Sequence, residues 1–175
     1  MKILVIGSDG QLGLEFQKIS NSLGSLSWIF STIKTLDLLR LETINSFLNN
    51  INPTVIVNCA AYTNVDKAET ESKLADTINH TAVDIISRWT SDNNKKLIHI
   101  STDYVFDGLS NIPLSENSKT KPVNEYGSSK LKGEIACLKN DPNSIVIRTS
   151  WLYSSFGKNF VKTMIDLMKK NNSVK

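Results

Sequence analysis

Short runs that are apolar from end to end recur along this chain, and each is followed by a longer stretch with helical spacing. Residues 2–7 (KILVIG) form the first run, and 11–23 then carry Leu12, Phe16, Ile19 and Leu23 at helical intervals. The runs at 25–30, 54–60, 96–101 and 144–150 repeat the strand pattern. Helices are expected at 41–50, where Pro53 prevents extension, and over 66–92 as one helix or two in tandem. Two more are expected at 125–139 and 158–171. Strands without polar alternation are buried on both faces. Strands alternating with helices join by right-handed crossovers into a parallel sheet. The expected fold is α/β, a doubly wound parallel sheet with helices on both faces.

Length and charge narrow the classes. The 175 residues suffice for one domain with a substantial core and not for two ordinary ones, so 1–175 is read as a single domain. The 20 basic and 17 acidic residues give a net charge of +3. Apart from Lys169–Lys170 the basic residues are dispersed, which argues against a nucleic-acid or anionic-membrane partner. No apolar run approaches the ~20 residues of a membrane span. Cys59 and Cys137 lie far apart and outside any CxxC pattern. With no signal peptide ahead of them they read as free thiols in a reducing, cytoplasmic setting. His80 and His99 lack ligand-like companions, so both are read as structural and no metal is expected.

Between the first strand and the first helix stands GSDGQLG, with Gly7, Gly10 and Gly13. Glycines here permit a tight turn, a close backbone approach to a ligand and a helix seated near the strand. The helix N-terminus beyond them offers the free N–H groups of Gln11, Leu12 and Gly13, a ready seat for a pyrophosphate. Together these features point to a Rossmann-like site for a dinucleotide; the competing reading is a turn chosen for packing. Farther along, Tyr126 and Lys130 sit four residues apart, one turn on one helix face. A phenol titrates near ~10 and needs a neighbouring cation to work near neutral pH. The plain alternative is a surface pair. The long loop 103–124 exceeds what simple connection requires.

The spacing GxxGxxG with a downstream Tyr-x-x-x-Lys resembles the short-chain dehydrogenase/reductase superfamily. The segments 57–69 (VNCAAYTNVDKAE), 101–108 (STDYVFDG), 123–134 (VNEYGSSKLKGE) and 148–153 (RTSWLY), then 157–164 (GKNFVKTM), together resemble the dTDP-4-dehydrorhamnose reductase family, over essentially the whole chain. That family reduces the 4-keto group of dTDP-4-dehydro-L-rhamnose to dTDP-L-rhamnose with a nicotinamide cofactor. The resemblance implies that Tyr126 protonates the carbonyl oxygen, Lys130 assists it and holds the nicotinamide ribose, and Thr102 donates to the same carbonyl, with Ser101 as its rival. It places Ala60, Ala61, Tyr62 and Thr63 along the cofactor, and Asp37 with Leu38 near the adenine; a helix N-cap role for Asp37 is compatible with this. Asp103 and Trp151 are expected on the substrate side with Thr102, Trp151 having a core position as its alternative. Arg148 is expected to pair with a carboxylate.

Two departures modify these expectations. The second strand ends in IFST followed by Ile33 and Lys34, with no carboxylate to reject a 2′-phosphate, so NADPH is favoured over NADH. Family members also continue beyond this point, so the C-terminal substrate subdomain is expected to be missing here. The partner implied is a small nucleotide sugar, and a homo-oligomer is compatible. Rival readings are a non-catalytic protein that keeps the fold to dock a partner, and another nucleotide-sugar epimerase or dehydratase.

Overall fold

The computed structural model describes residues 1–170. Five strands form one sheet: β1 (Lys2–Ile6), β2 (Ser27–Ser31), β3 (Val55–Asn58), β4 (Lys96–Thr102) and β5 (Ile145–Thr149). Their order is β2-β1-β3-β4-β5, and every pairing is parallel. The helices are α1 (Gln11–Ser20), α2 (Leu41–Ile51), α3 (Val65–Ala68), α4 (Ser72–Asp76), α5 (Ala82–Asp92), α6 (Glu125–Asn140) and α7 (Phe160–Lys170). Among the described residues no helix is long and apolar enough to cross a membrane.

β1 supplies both cores, because successive side chains of a strand point to opposite faces. Leu4 and Ile6 join Ile44 and Leu48 of α2 and Val83 and Ile86 of α5. Ile3 and Val5 lie on the other face with Val57, against Phe16 of α1 and the stacked pair Trp28–Phe30. Each fully buried Leu or Ile is worth ~1.5–3 kcal/mol. The α2/α5 side, with Leu4, Ile44, Leu48, Ile56 and Ile86 all buried completely, therefore carries more of the stability.

Boundaries differ from the sequence expectation where side chains compete for the backbone. α1 stops at Ser20, not at 23: Ser20 and Ser22 donate to the Gln17 and Ile19 carbonyls, and Ile19 and Leu23 remain exposed. The stretch 66–92 divides into α3, then α4 running through a π-turn at Thr77–Thr81 into α5. The last helix begins at Phe160 because Asn159 caps it, accepting from the Lys162 N–H. α7 buries none of its side chains. Residue 171, where the expected last helix ends, lies outside the described residues.

The π-turn meets α6 at Gly133, where a Cβ would strike the Asn79 carbonyl. Neither partner can yield, one being helix and the other a turn pinned by the buried Asn79. Gly133→Ala should cost ~1–3 kcal/mol by overpacking, visible as a lower urea midpoint at unchanged m-value. An unchanged midpoint would show that the two elements are free to move apart.

Candidate active site

The crossover from β2 to β3 passes over β1, so the chain leaves the carboxyl edge of the sheet in opposite directions on either side of it. A crevice at this switch point is the usual ligand site of an open α/β sheet. Gly7 closes β1 with φ +76°, and a Cβ there would come within 2.6 Å of the Ala60 nitrogen. Gly13 lets α1 start hard against the turn, a Cβ at that position falling 2.4 Å from Ser8 Cα. The result is a cleft of about 700 Å³, within the ~300–1,000 Å³ typical of cofactor sites. Gly10, Gln11 and Leu12 line one wall, Asp37 and Leu38 one end, and Tyr126 and Lys130 another part, with Ala60, Ala61 and Thr63 also on the lining.

These residues fit a dinucleotide. Gly10 caps α1 with no side-chain hydrogen bond, and the first turn carries no acid. The leading N–H groups therefore remain available to an anion, with the positive end of the helix dipole behind them. Lys158 and Gly157 also line the cleft, tied over the turn by Asn159, which donates to the Gln11 side chain at 3.0 Å. Asp37 accepts from the Leu39 N–H at 2.9 Å. It does not cap α2, whose N-cap is Arg40. At the tip of β2, Ser31 is buried and hydrogen-bonded to Thr35, Ile33 lines the cleft, and Lys34 is exposed.

Tyr126 and Lys130 owe their placement to how α6 begins. Asn124 accepts from the Gly127 N–H at 2.7 Å, and Glu69 accepts from the Glu125 N–H at 2.9 Å. Two otherwise orphaned donors are thereby satisfied at the turn that presents the phenol. Asn79, fully buried on the π-turn, then joins α6 to the cofactor edge. Its Oδ1 accepts from the Tyr62 N–H at 2.9 Å, while Nδ2 donates to the Tyr62 carbonyl and to Ser129 Oγ, each at 3.0 Å. Ser129 in turn donates to the Tyr126 carbonyl.

Lys130 is 2% exposed, with Nζ donating to the Ile100 carbonyl at 2.6 Å. Burial lowers its pKa to about 8, opposed by Glu134. Tyr126 moves the other way. Burial raises it above its ordinary value, Asp103 and Tyr104 add to the rise, and a hydrogen-bonding contact with Thr102 opposes it. The expectation that Lys130 draws this phenol down is therefore not met: desolvation dominates, and the ammonium is committed to a carbonyl. Tyr126 stays protonated at neutral pH, its ring edge-on to Tyr104.

Other anticipated residues sit differently. Thr102 is buried beside the cleft and not on its lining; its hydroxyl donates to Asp103 and accepts from the Tyr104 N–H. Ser101 does line the cleft, and its buried hydroxyl has no hydrogen-bond partner among the described residues. Asp103 also accepts from Ser150 at 2.7 Å, tying the ends of β4 and β5. Tyr62 is not on the cleft lining: its backbone is bonded to Asn79 and its phenol turns away to Glu71. Trp151 belongs to neither the core nor the cleft lining. It is 73% exposed, at φ +52°, with its ring edge-on to Phe160. Arg148 does pair with a carboxylate, holding Glu134 at 2.7 Å. His80 bonds to Asp76, while His99 is buried beside Asn58 and held neutral by desolvation. Both cysteines are free. Asn79, Lys158, Leu152 and Thr149 were not anticipated; only the GKNF segment hinted at Lys158.

A parallel sheet opening at its switch point onto a glycine turn and a Tyr-x-x-x-Lys helix is the mark of a Rossmann-like domain of the short-chain dehydrogenase/reductase type. The chain itself belongs to the family described as the RmlD substrate binding domain, whose model matches residues 1–175. Its relatives include dTDP-4-dehydrorhamnose reductases from Salmonella typhimurium, 39% identical over 99% of this chain and 59% of that protein, and from Burkholderia thailandensis, 40% identical over 100% and 58%. The crystal structure of the Clostridium acetobutylicum enzyme superposes with a TM-score of 0.92 at 39% identity, over 97% of this chain and 60% of that one. That of Bacillus anthracis, in complex with NADP, gives 0.91 at 36% identity over the same shares. The chain thus spans about 59% of the length of the curated relatives it matches.

Lys130 yields a stability test. Its folded pKa, about 8, lies below the ordinary 10.5. The folded state therefore holds fewer protons between those values, and stability rises as pH climbs from about 8 to 10.5. Below 8 the full desolvation penalty applies, on the order of 3 kcal/mol at about 1.4 kcal/mol per pKa unit. Lys130→Met should be more stable than the parent at pH 7, by ~2 kcal/mol after the lost hydrogen bond is discounted, and the advantage should vanish near pH 10.5. Melting curves across this range decide it; a variant less stable at pH 7 with the parent's pH slope would contradict a desolvated ammonium.

Proposed function

We propose that residues 1–175 form the NAD(P)-binding and proton-donating domain of an NADPH-dependent dTDP-4-dehydrorhamnose reductase. The observation that carries this reading is the placement of Tyr126 and Lys130 on the same cleft as the glycine turn. Membership of the family and the names of the relatives supply the substrate, a nucleotide sugar bearing a 4-keto group. The two free thiols suit a reducing cytoplasm.

The nicotinamide ring, when bound, supplies hydride to the keto carbon. Tyr126 holds the proton that the carbonyl oxygen must receive, and burial keeps that phenol protonated until it is used. Lys130, one turn along the same face, places positive charge beside the phenolate as it forms and hydrogen-bonds the ribose. Thr102 hydrogen-bonds Tyr126 and would polarise the carbonyl with it once its hydroxyl turns from Asp103. Gly7, Gly10 and the N–H groups of Gln11, Leu12 and Gly13 take the pyrophosphate. Asp37 and Leu38 border the adenosine end, and Ala60, Ala61, Thr63 and the Tyr62 backbone follow the cofactor's length. The family resemblance assigns Asp103 and Trp151 to the sugar side, although Asp103 is tied to Thr102 and Ser150 and Trp151 lies off the cleft lining. The dehydratase alternative is weakened because the Asp103 carboxylate already accepts from Thr102 and Ser150.

For the cofactor, no carboxylate stands at Ser31, Thr32, Ile33 or Lys34 to repel a 2′-phosphate, and the Bacillus anthracis relative was solved with NADP. Calorimetric titration of the chain should show tighter binding of NADPH than NADH; a clear preference for NADH would overturn the assignment. In a full-length protein carrying this sequence, Tyr126→Phe should lower kcat about 10²–10⁴-fold, the usual worth of a positioned acid. The dissociation constant for NADPH should change less than about threefold, since the hydroxyl acts in the transition state. A variant retaining more than about a tenth of the rate would remove Tyr126 from the role.

A further inference from the structure

α6 presents Tyr126, Lys130 and Glu134 at i, i+4 and i+8, on one face. Glu134 is as deeply buried as Lys130, at 3% and 2% exposure. Its carboxylate is gripped by β5: Arg148 Nε donates to both oxygens at 3.0 and 3.2 Å, and a terminal nitrogen reaches Oε2 at 2.7 Å. The same guanidinium donates to the Glu116 carbonyl in the long loop 103–124 and stacks over Phe106 at 5.0 Å. A buried carboxylate beside a buried ammonium exchanges far more energy than a surface pair.

We propose that Glu134 is a positioning residue for Lys130, holding its ammonium charged, and that Arg148 sets how much of the Glu134 charge Lys130 feels. Among the described residues the ionisable groups facing Lys130 are few. Cys59, just past β3, and Cys137 on α6 are both pushed up to about 12 by burial and are neutral. His99 of β4 is neutral for the same reason, and Tyr126 is protonated. Glu134 supplies the negative charge that opposes the desolvation of Lys130. Arg148 offsets part of that charge, so removing its guanidinium would leave Lys130 facing a fuller negative charge. A purely structural ion pair would have no such link to the lysine.

The inference rests on the function proposed above for its place in catalysis; its measurement does not. The titration of Lys130 can be followed in the chain without cofactor or substrate, by the ¹³Cε resonance of labelled lysine, assigned by its loss in Lys130→Met. In the parent the midpoint is expected near 8. Glu134→Gln should lower it by about one pH unit, and Arg148→Met should raise it by a similar amount, the size expected for a nearby charge. Opposite signs are the signature, because a general loosening of the fold would rehydrate Lys130 and raise the midpoint in both. Where Arg148→Met fails to fold, Arg148→Lys replaces it and should leave the midpoint within about 0.3 of the parent, while Glu134→Gln still lowers it. An unmoved or raised midpoint in Glu134→Gln overturns the proposal. An inactive enzyme with the expected shifts would overturn the proposed reaction and leave this coupling standing.

Discussion

β1 hydrogen-bonds to β2 on one side and to β3 on the other, with Ile6 standing opposite both Ser31 and Asn58. Past that point the backbone is still held: the Gly7 and Ser8 N–H groups both donate to the Ser31 carbonyl, and the Cys59 N–H donates to the Ile6 carbonyl. Three chain segments therefore leave the sheet edge within touching distance. A residue with a Cβ at position 7 would have to displace Ala60. The close approach that leaves backbone free for a ligand is thus first a consequence of strand pairing. The cleft exists because two neighbours of one strand depart in opposite directions.

The far end of the cleft depends on a buried polar network. Asn79 bonds to Tyr62 twice and to Ser129 once, joining the edge that follows β3 to the start of α6. A helix of regular pitch leaves no slack at that position; the π-turn adds the residue that does, as π-bulges at functional sites commonly do. Gly133 and Gly127 complete the fit by letting α6 lie against the Asn79 and Tyr104 carbonyls. Within this frame Lys130 is kept almost wholly from water with one carbonyl for its ammonium. Stability is diminished by it, and a charge is held at the wall of the cleft.

Legibility from sequence followed distance along the chain. The strands could be read because each is a short, wholly apolar run, and the sheet class followed from their alternation with helices. The glycine turn and the Tyr126–Lys130 pair were readable because their elements span seven and five residues, with the cap Asn124 close by. Helix ends were less so, since Ser20 and Ser22 compete for carbonyls in ways that apolar spacing does not reveal. Asn79 was invisible: an asparagine within a long helical pattern carries no mark that separates a buried brace from a solvated side chain.

Local chemistry, then, was enough to determine the parallel α/β architecture, the anion-ready turn and the placing of Tyr126 and Lys130 on one helix face. These depend on periodicity, glycine placement and capping, all of which act over a few residues. Tertiary structure alone decided that the Tyr126 pKa rises and does not fall, that Tyr62 binds Asn79 through its backbone and turns its phenol to Glu71, that Trp151 lies exposed and off the cleft lining, and that Arg148 and Glu134 join the long loop to the helix behind Lys130. Each of those outcomes turns on burial or on a partner tens of residues away, and desolvation is a property of the folded surroundings, which no stretch of chain carries by itself.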